Sequence, residues 1–352
     1  MKITQSDFGT VENKAVSLYT IENSNGVTLA ITNYGATIVS LDVPDRSGNS
    51  DDIVLGHDNV ASYIKDSSYF GCVIGRVANR TAGSKIIVDD VEYPLSNNEG
   101  ANHLHGGIKG FDKVIWDASF VETADSAGLK CTYLSKDGEE GYPGNLSCTI
   151  LYILTEDNEF KVEYQATTDK ATPVNLTNHS YFNLAGHGNG NVLDHSIIIN
   201  AERFTPFGDG LIPTGEYRSV ANTPLDFRTA TVIGARIDTG DEQLKTTDGY
   251  DNNWVFDNDD GTLILAATVT EPNSGRVMEV WTNKPAMQLY TANHLDGSTI
   301  GKQGKVYRQY QGFCLETQFP PNSPNEPQFP DITLRPGQRY EYTTIFKFST
   351  VS

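Results

Sequence analysis

Leu146-Ser147-Cys148-Thr149-Ile150-Leu151-Tyr152-Ile153-Leu154-Thr155, then Glu156-Asp157-Asn158, then Glu159-Phe160-Lys161-Val162-Glu163-Tyr164-Gln165-Ala166, is the most regular stretch of the chain. Leu146, Cys148, Ile150, Tyr152 and Leu154 fall on every second residue, and so do Phe160, Val162, Tyr164 and Ala166. A period of two marks a β-strand with one buried face, and the three polar residues between the runs are turn formers. The stretch therefore predicts two long antiparallel strands.

The same period recurs on both sides of it. Val16, Leu18 and Thr20 alternate, and Val27, Leu29 and Ile31 answer them across Asn25-Gly26, a pair suited to the positive φ angles of a tight hairpin. Val39, Leu41 and Val43 continue the pattern. Leu263, Leu265, Ala267 and Val269 face Met278 and Val280 across Pro272-Asn273-Ser274-Gly275, and Tyr340, Tyr342, Thr344, Phe346 and Phe348 follow Pro336-Gly337. Helical spacing is scarce. Residues 58–64 and 229–237 each predict a short helix, with Asp58 and Thr229 as N-caps. No repeat, low-complexity stretch or linker divides the chain. These signals predict an all-β protein, a large antiparallel β-sandwich forming a single domain over residues 1–352 with a few short helices.

Composition narrows the function. Asp and Glu outnumber Lys and Arg by 45 to 26, a formal charge of -19. That balance repels a phosphate backbone and an anionic lipid surface, so neither nucleic acid nor membrane is an expected partner. No run approaches the ~20 apolar residues of a membrane helix, and the opening residues lack the apolar segment of a secretory leader. Cys72, Cys131, Cys148 and Cys314 are scattered without a short pairing motif, which predicts reduced cysteines and a cytoplasmic location.

Five polar clusters carry the chemical information. Gly75-Arg76-Val77-Ala78-Asn79-Arg80 offers either surface ion pairs or a fork of donors for hydroxyls or an anion. In Asn102-His103-Leu104-His105-Gly106-Gly107 the two histidines suit half a metal site, structural hydrogen bonds or substrate contact. His179, within Asn175-Leu176-Thr177-Asn178-His179-Ser180-Tyr181-Phe182-Asn183-Leu184, is bracketed by side chains able to fix its tautomer, and is either a catalytic or a structural histidine. Asp251, in Gly249-Tyr250-Asp251-Asn252-Asn253-Trp254, fits a carbohydrate-binding rim or a turn cap. Glu316, in Phe313-Cys314-Leu315-Glu316-Thr317-Gln318-Phe319, is either a desolvated base or a strand residue facing solvent. Phosphate-binding loops, dinucleotide fingerprints, nucleophile elbows and paired-histidine zinc motifs are missing from the sequence.

Taken in order, Asn79-Arg80, His103-Leu104-His105-Gly106-Gly107, Asn178-His179-Ser180-Tyr181-Phe182-Asn183-Leu184, Gly249-Tyr250-Asp251 and Leu315-Glu316-Thr317-Gln318 resemble the aldose 1-epimerase, or galactose mutarotase, family. Asn33-Tyr34-Gly35-Ala36 and Gly110-Phe111-Asp112-Lys113 are of the same type. The resemblance implies the galactose mutarotase-like supersandwich and interconversion of the α and β anomers of free aldoses such as galactose and glucose, without cofactor or metal. It implies Glu316 as general base, His179 as general acid and His105 as an aid near the ring oxygen. Asn79, Arg80, Asp251 and Gln288, the last within Met287-Gln288-Leu289-Tyr290, are the implied sugar-binding residues. Asn252 stands where many members have His, an expected change at the rim of the sugar site. His179 is expected to start charged, helped by the acidic protein, and Glu316 to start ionised. A small aldose is the expected partner, and the chain is expected to be a monomer or homodimer. The rival readings are a hexose-phosphate epimerase of the same fold, which needs a cationic cluster, and a non-catalytic sugar-binding module.

Overall fold

The structure, a computed structural model, describes residues 1–123, 125–258 and 260–351. Leu146–Thr155 and Glu159–Thr168 are strands, and along the first one buried residues alternate with more exposed ones. They pair in register from Leu146 opposite Thr168 to Leu154 opposite Phe160. This hairpin sits inside a nine-stranded antiparallel sheet, and Glu159–Thr168 is flanked on its other side by Tyr340–Thr350, which in turn pairs with Arg276–Thr282. A five-stranded antiparallel sheet is built from the first part of the chain, Lys2–Val11 through Ser50–Asp52. A third sheet, also five-stranded, has the order Arg218–Ser219, Arg203–Thr205, Asp251–Val255, Ala286–Tyr290 and Cys314–Gln318. One continuous apolar cluster, from Tyr19 to Phe348, draws on all three sheets.

The third sheet positions the chemistry. Gln288 lies opposite both Asn253 and Glu316, and Tyr290 opposite both Asp251 and Cys314. Partners directly opposite share a face, and neighbours along a strand take opposite faces. Asp251, Gln288, Tyr290, Cys314 and Glu316 therefore point one way. Trp254, Met287, Leu289 and Leu315 point the other way, into the core.

Cys314–Gln318 is the edge strand of this sheet. Residues 175–182 run beside it outside its ladder. One end is tied by the Asn175 amide, which donates to Phe319 O (3.2 Å) and accepts from Phe319 N–H (3.0 Å). The other end is tied by reciprocal backbone bonds between Phe182 and Phe313. Between the ties, Thr177 Oγ1 donates to Thr317 O at 2.8 Å, and Lys284 Nζ donates to Thr317 O at 3.3 Å and to Leu176 O. Lys284 is fully buried over the Tyr164 ring, 3.9 Å from its centroid, and burial pushes its amine well below the usual lysine range.

Local departures from the sequence reading have local causes. The first helix is Val60–Lys65, capped by Asn59, whose side chain accepts from Ser62 N–H; Asp58 instead accepts from Gln303 N–H. Residues 229–237 form a short strand, Thr231–Val232, and a single 3-10 turn. The β-branched pair favours the strand, and Gly234 lies so close to Leu193 that a Cβ there would sit 3.0 Å from the Leu193 side chain. A helix does form at Glu242–Lys245, capped by Asp241. At Asn25-Gly26 only Gly26 has positive φ, and the Asn23 side chain closes a wider loop by accepting from Asn25 and Val27. Leu263 lies before the strand Ile264–Thr270 and is exposed, and a bulge at Leu265–Ala267 resets the alternation.

Candidate active site

A cavity of about 280 Å³ opens on the outward face of the third sheet. Of the residues predicted for the site, Asn79, Arg80, His105, His179, Asp251 and Glu316 line it. Gln288 does not reach its wall. Its amide nitrogen donates to Asp251 Oδ1 at 2.8 Å, so it orients the carboxylate that does.

His179 and Glu316 are both buried and meet at 3.6 Å, Nε2 to Oε1. Glu316 lines the cavity, and its Oε2 is buried without a hydrogen-bond partner among the described residues. Burial raises the Glu316 carboxyl well above the usual range, the Asp251 charge adds to this, and Arg80 opposes it. Burial also pushes His179 down to about 4. The acidic surface does not keep this imidazole charged; removal from water dominates. Burial thus disfavours the charged form of both groups, against the charged histidine and ionised carboxylate expected at the start.

Asn178 and Ser180, which flank His179, bind each other and the backbone instead of its ring. Asn178 Oδ1 accepts from Ser180 N–H and Oγ–H, and Asn178 Nδ2 donates to Gly71 O. The ring is held by two tyrosines stacked near it, Tyr181 at 5.1 Å and Tyr69 at 5.9 Å between centroids, and by Cys314 Sγ at 3.5 Å from Nδ1.

The two histidines of the glycine-bounded loop separate cleanly. His103 Nδ1 donates to Ser96 O (2.6 Å) and Nε2 accepts from Tyr142 O–H (2.8 Å), so it is structural. His105 faces the cavity. Its Nδ1 accepts from Asn79 N–H at 3.2 Å, so its proton is on Nε2, a donor for an oxygen in the cavity. Gly106 permits this placement: its φ is +86°, and a Cβ there would lie 1.8 Å from Gly75 O. Burial, reinforced by His179 and Arg80, lowers His105 well below the usual histidine range.

A ligand atom from each of His105, His179 and Glu316 falls within 4.8 Å of the others, a spacing that invites a metal. The donor set fits one poorly. His105 would have to coordinate through Nε2, which moves its proton to Nδ1 and sets it against Asn79 N–H.

Arg80 spans two carboxylates. Nε and Nη2 donate to Glu99 at 2.8–3.0 Å, and Nη1 lies 3.7 Å from Asp251 Oδ2. Arg76 has neither of the roles considered for it. It is buried and donates to Ser135 Oγ, the carbonyls of Ser135, Lys136 and Pro143, and Thr172 Oγ1. Asn252 is not on the rim. It follows Asp251 on the strand, so it lies on the opposite face, where it is buried. Tyr69, Glu99, Tyr181 and Tyr290 also line the cavity. Glu99 was within reach of sequence reading, four residues before His103 in a polar turn. Nothing local in Ser67-Ser68-Tyr69-Phe70 marks Tyr69.

The aldose 1-epimerase family model matches residues 17–347. The chain is 43% identical over 350 residues to galactose mutarotase from Bos taurus, covering 99% of both chains. It is 37% identical over 333 residues to aldose 1-epimerase from Escherichia coli K12, covering 94% of both. A solved structure of galactose 1-epimerase from Lactobacillus acidophilus is similar with a TM-score of 0.88 and 29% identity, covering 100% of this chain and 99% of that one. Sheet architecture, site residues and these likenesses along nearly the full length agree: the chain belongs to the aldose 1-epimerase family of isomerases.

Proposed function

We propose that this cavity interconverts the α and β anomers of free aldoses such as galactose and glucose by opening and reclosing the hemiacetal ring. Glu316 takes the proton of the C1 hydroxyl while His179 gives one to the ring oxygen. The C1–O5 bond breaks, and an open-chain aldehyde forms. A half-turn about C1–C2 presents the other carbonyl face to the 5-hydroxyl. Reattack returns one proton from Glu316 to O1 and one from O5 to His179, so the enzyme ends as it began. His105, donating from Nε2, supports the ring oxygen. Asn79, Arg80 and Asp251 hold hydroxyls, and Gln288 serves through Asp251.

The observation that carries this reading is the buried His179–Glu316 pair, 3.6 Å apart in the cavity wall, with one Glu316 oxygen unpartnered among the described residues. Ring opening needs a base and an acid sharing one proton between them, and such a pair holds it. Sugar hydroxyls and the Arg80 charge favour the Glu316 carboxylate and so leave the shared proton to His179. Positioned groups of this kind contribute about 10²–10⁴-fold each.

The test is polarimetry on freshly dissolved α-D-galactose and α-D-glucose. The wild type should speed the approach to anomeric equilibrium, and Glu316→Gln and His179→Asn should each lose about 10²-fold or more of kcat while staying folded. Near-wild-type rates in either variant would remove that residue from its role. All the groups invoked come from one chain, so we take the active unit to be a monomer or either half of a homodimer. Four buried, unpaired cysteines support a cytoplasmic setting.

A further inference from the structure

The cavity sets one arginine beside the carboxylates Glu99 and Asp251, while burial favours the uncharged form of Glu316. Lys113 does not line it; its ammonium lies 5.4 Å from the centre of the Tyr69 ring and pairs with Asp112 at 3.0 Å. The histidines His105 and His179 are held neutral by burial. The local charge therefore repels anions in its own right, apart from the acidic surface.

Glu99 does more than add charge. A guanidinium presents a planar edge that matches a carboxylate or phosphate with two parallel bonds. Glu99 already occupies the Nε/Nη2 edge of Arg80, with three contacts of 2.8–3.0 Å. It is pinned for this task by backbone bonds in both directions with Asn102, across the turn that leads into the His103–Leu104 strand. Its side chain is about one-third exposed, against one-tenth for Arg80, so it is the more solvent-facing member of the pair. What Arg80 can still offer is its Nη1 end and the second N–H of Nη2, and there Asp251 Oδ2 already stands 3.7 Å from Nη1, so an incoming anion meets a carboxylate on either side of the guanidinium.

We infer that Glu99 is a specificity-determining residue: by filling the Nε/Nη2 edge of Arg80 and setting its charge beside that of Asp251, it restricts the cavity to uncharged aldoses and excludes those bearing a carboxylate or phosphate. This rests on the mutarotase reading of the site. It predicts that removing the Glu99 charge opens the site to acidic sugars while leaving the acid–base pair in place.

The experiment compares D-galactose with D-galacturonate, an aldose that differs at C6 by a carboxylate, by polarimetry on the full chain. The wild type should favour galactose in kcat/KM by about a hundredfold or more, and the ratio should narrow as salt is raised from about 20 mM to about 0.5 M. Glu99→Gln should narrow the ratio by about tenfold at low salt. A wild-type ratio near one, or one insensitive to salt, overturns the inference even if Glu99→Gln cannot be made as a folded protein. A folded Glu99→Gln with an unchanged ratio overturns it too, because exclusion then lies elsewhere. If the wild type does not accelerate galactose, the mutarotase reading itself fails and this inference falls with it, a result distinct from the others.

Discussion

At the scale of single residues, the decisive quantity is where one proton rests. A histidine in water is half charged near pH 6.5, and a glutamate near 4.3. Burial moves the two past each other here, His179 down to about 4 and Glu316 well up. The pair titrates as a unit: a second proton enters as pH falls toward 4, and the last one leaves only above the usual carboxylate range. Too many protons leave no base, and too few leave no acid. In the free enzyme at pH 6 the His179 imidazole should therefore be neutral, with an NMR titration midpoint near 4, its signals assigned by their loss in His179→Asn. A midpoint near 6.5 would mean that burial does not govern the site. The sequence marked these residues through the company they keep but not their charge, since desolvation belongs to the folded surroundings. The same limit separates His103 from His105: spacing made them equivalent, and only the donors around each ring distinguish structure from site.

Among elements, the strand pattern was the most legible feature. Leu146–Thr155 and Glu159–Thr168 lie where alternation placed them, because a half-buried strand writes its period directly into the sequence. The short helices were less legible. A single turn is decided by one cap or one close approach, as at Asn59 and Gly234, and hydrophobic spacing over so few residues carries little information. Least legible was Lys284, a cation in a turn between two strands. It bridges Leu176 O and Thr317 O where the segment bearing His179 passes the edge strand bearing Glu316 without a ladder between them. Lys284→Met fills the volume but leaves those carbonyls one donor short, each at a cost of about 1–3 kcal/mol. It should lower the thermal midpoint and reduce kcat by about tenfold or more, with KM changing less, because Arg80 and Asp251 lie on other elements. Denaturation monitored alongside steady-state polarimetry checks both; equal losses in kcat and affinity would count against a role in spacing the acid and base.

For the whole molecule, residues 79 and 316 meet in one cavity, and one apolar cluster reaches from Tyr19 to Phe348. We propose that the chain unfolds as a single unit. Trp116 and Trp254 are both buried in that cluster, Trp254 within the third sheet and Trp116 next to the first strand of the nine-stranded one. Tryptophan fluorescence and far-ultraviolet circular dichroism should thus report coincident denaturant transitions. Two separated midpoints would divide the chain into independent parts. Strand signals throughout and the lack of a linker in the sequence point the same way as this proposal. The sequence could not show that the third sheet turns one face to the core and the other to the site, because that depends on register between strands far apart in sequence. Register also fixes the order in which the molecule can be finished. Tyr340–Thr350 lies between Glu159–Thr168 and Arg276–Thr282 in the large sheet. During synthesis both flanking strands exist before the strand that joins them. Their facing edges stay open for that interval, the state in which strand edges recruit other chains. The nascent chain thus carries two open edges until residues 340–350 are made, after every side chain assigned to the site.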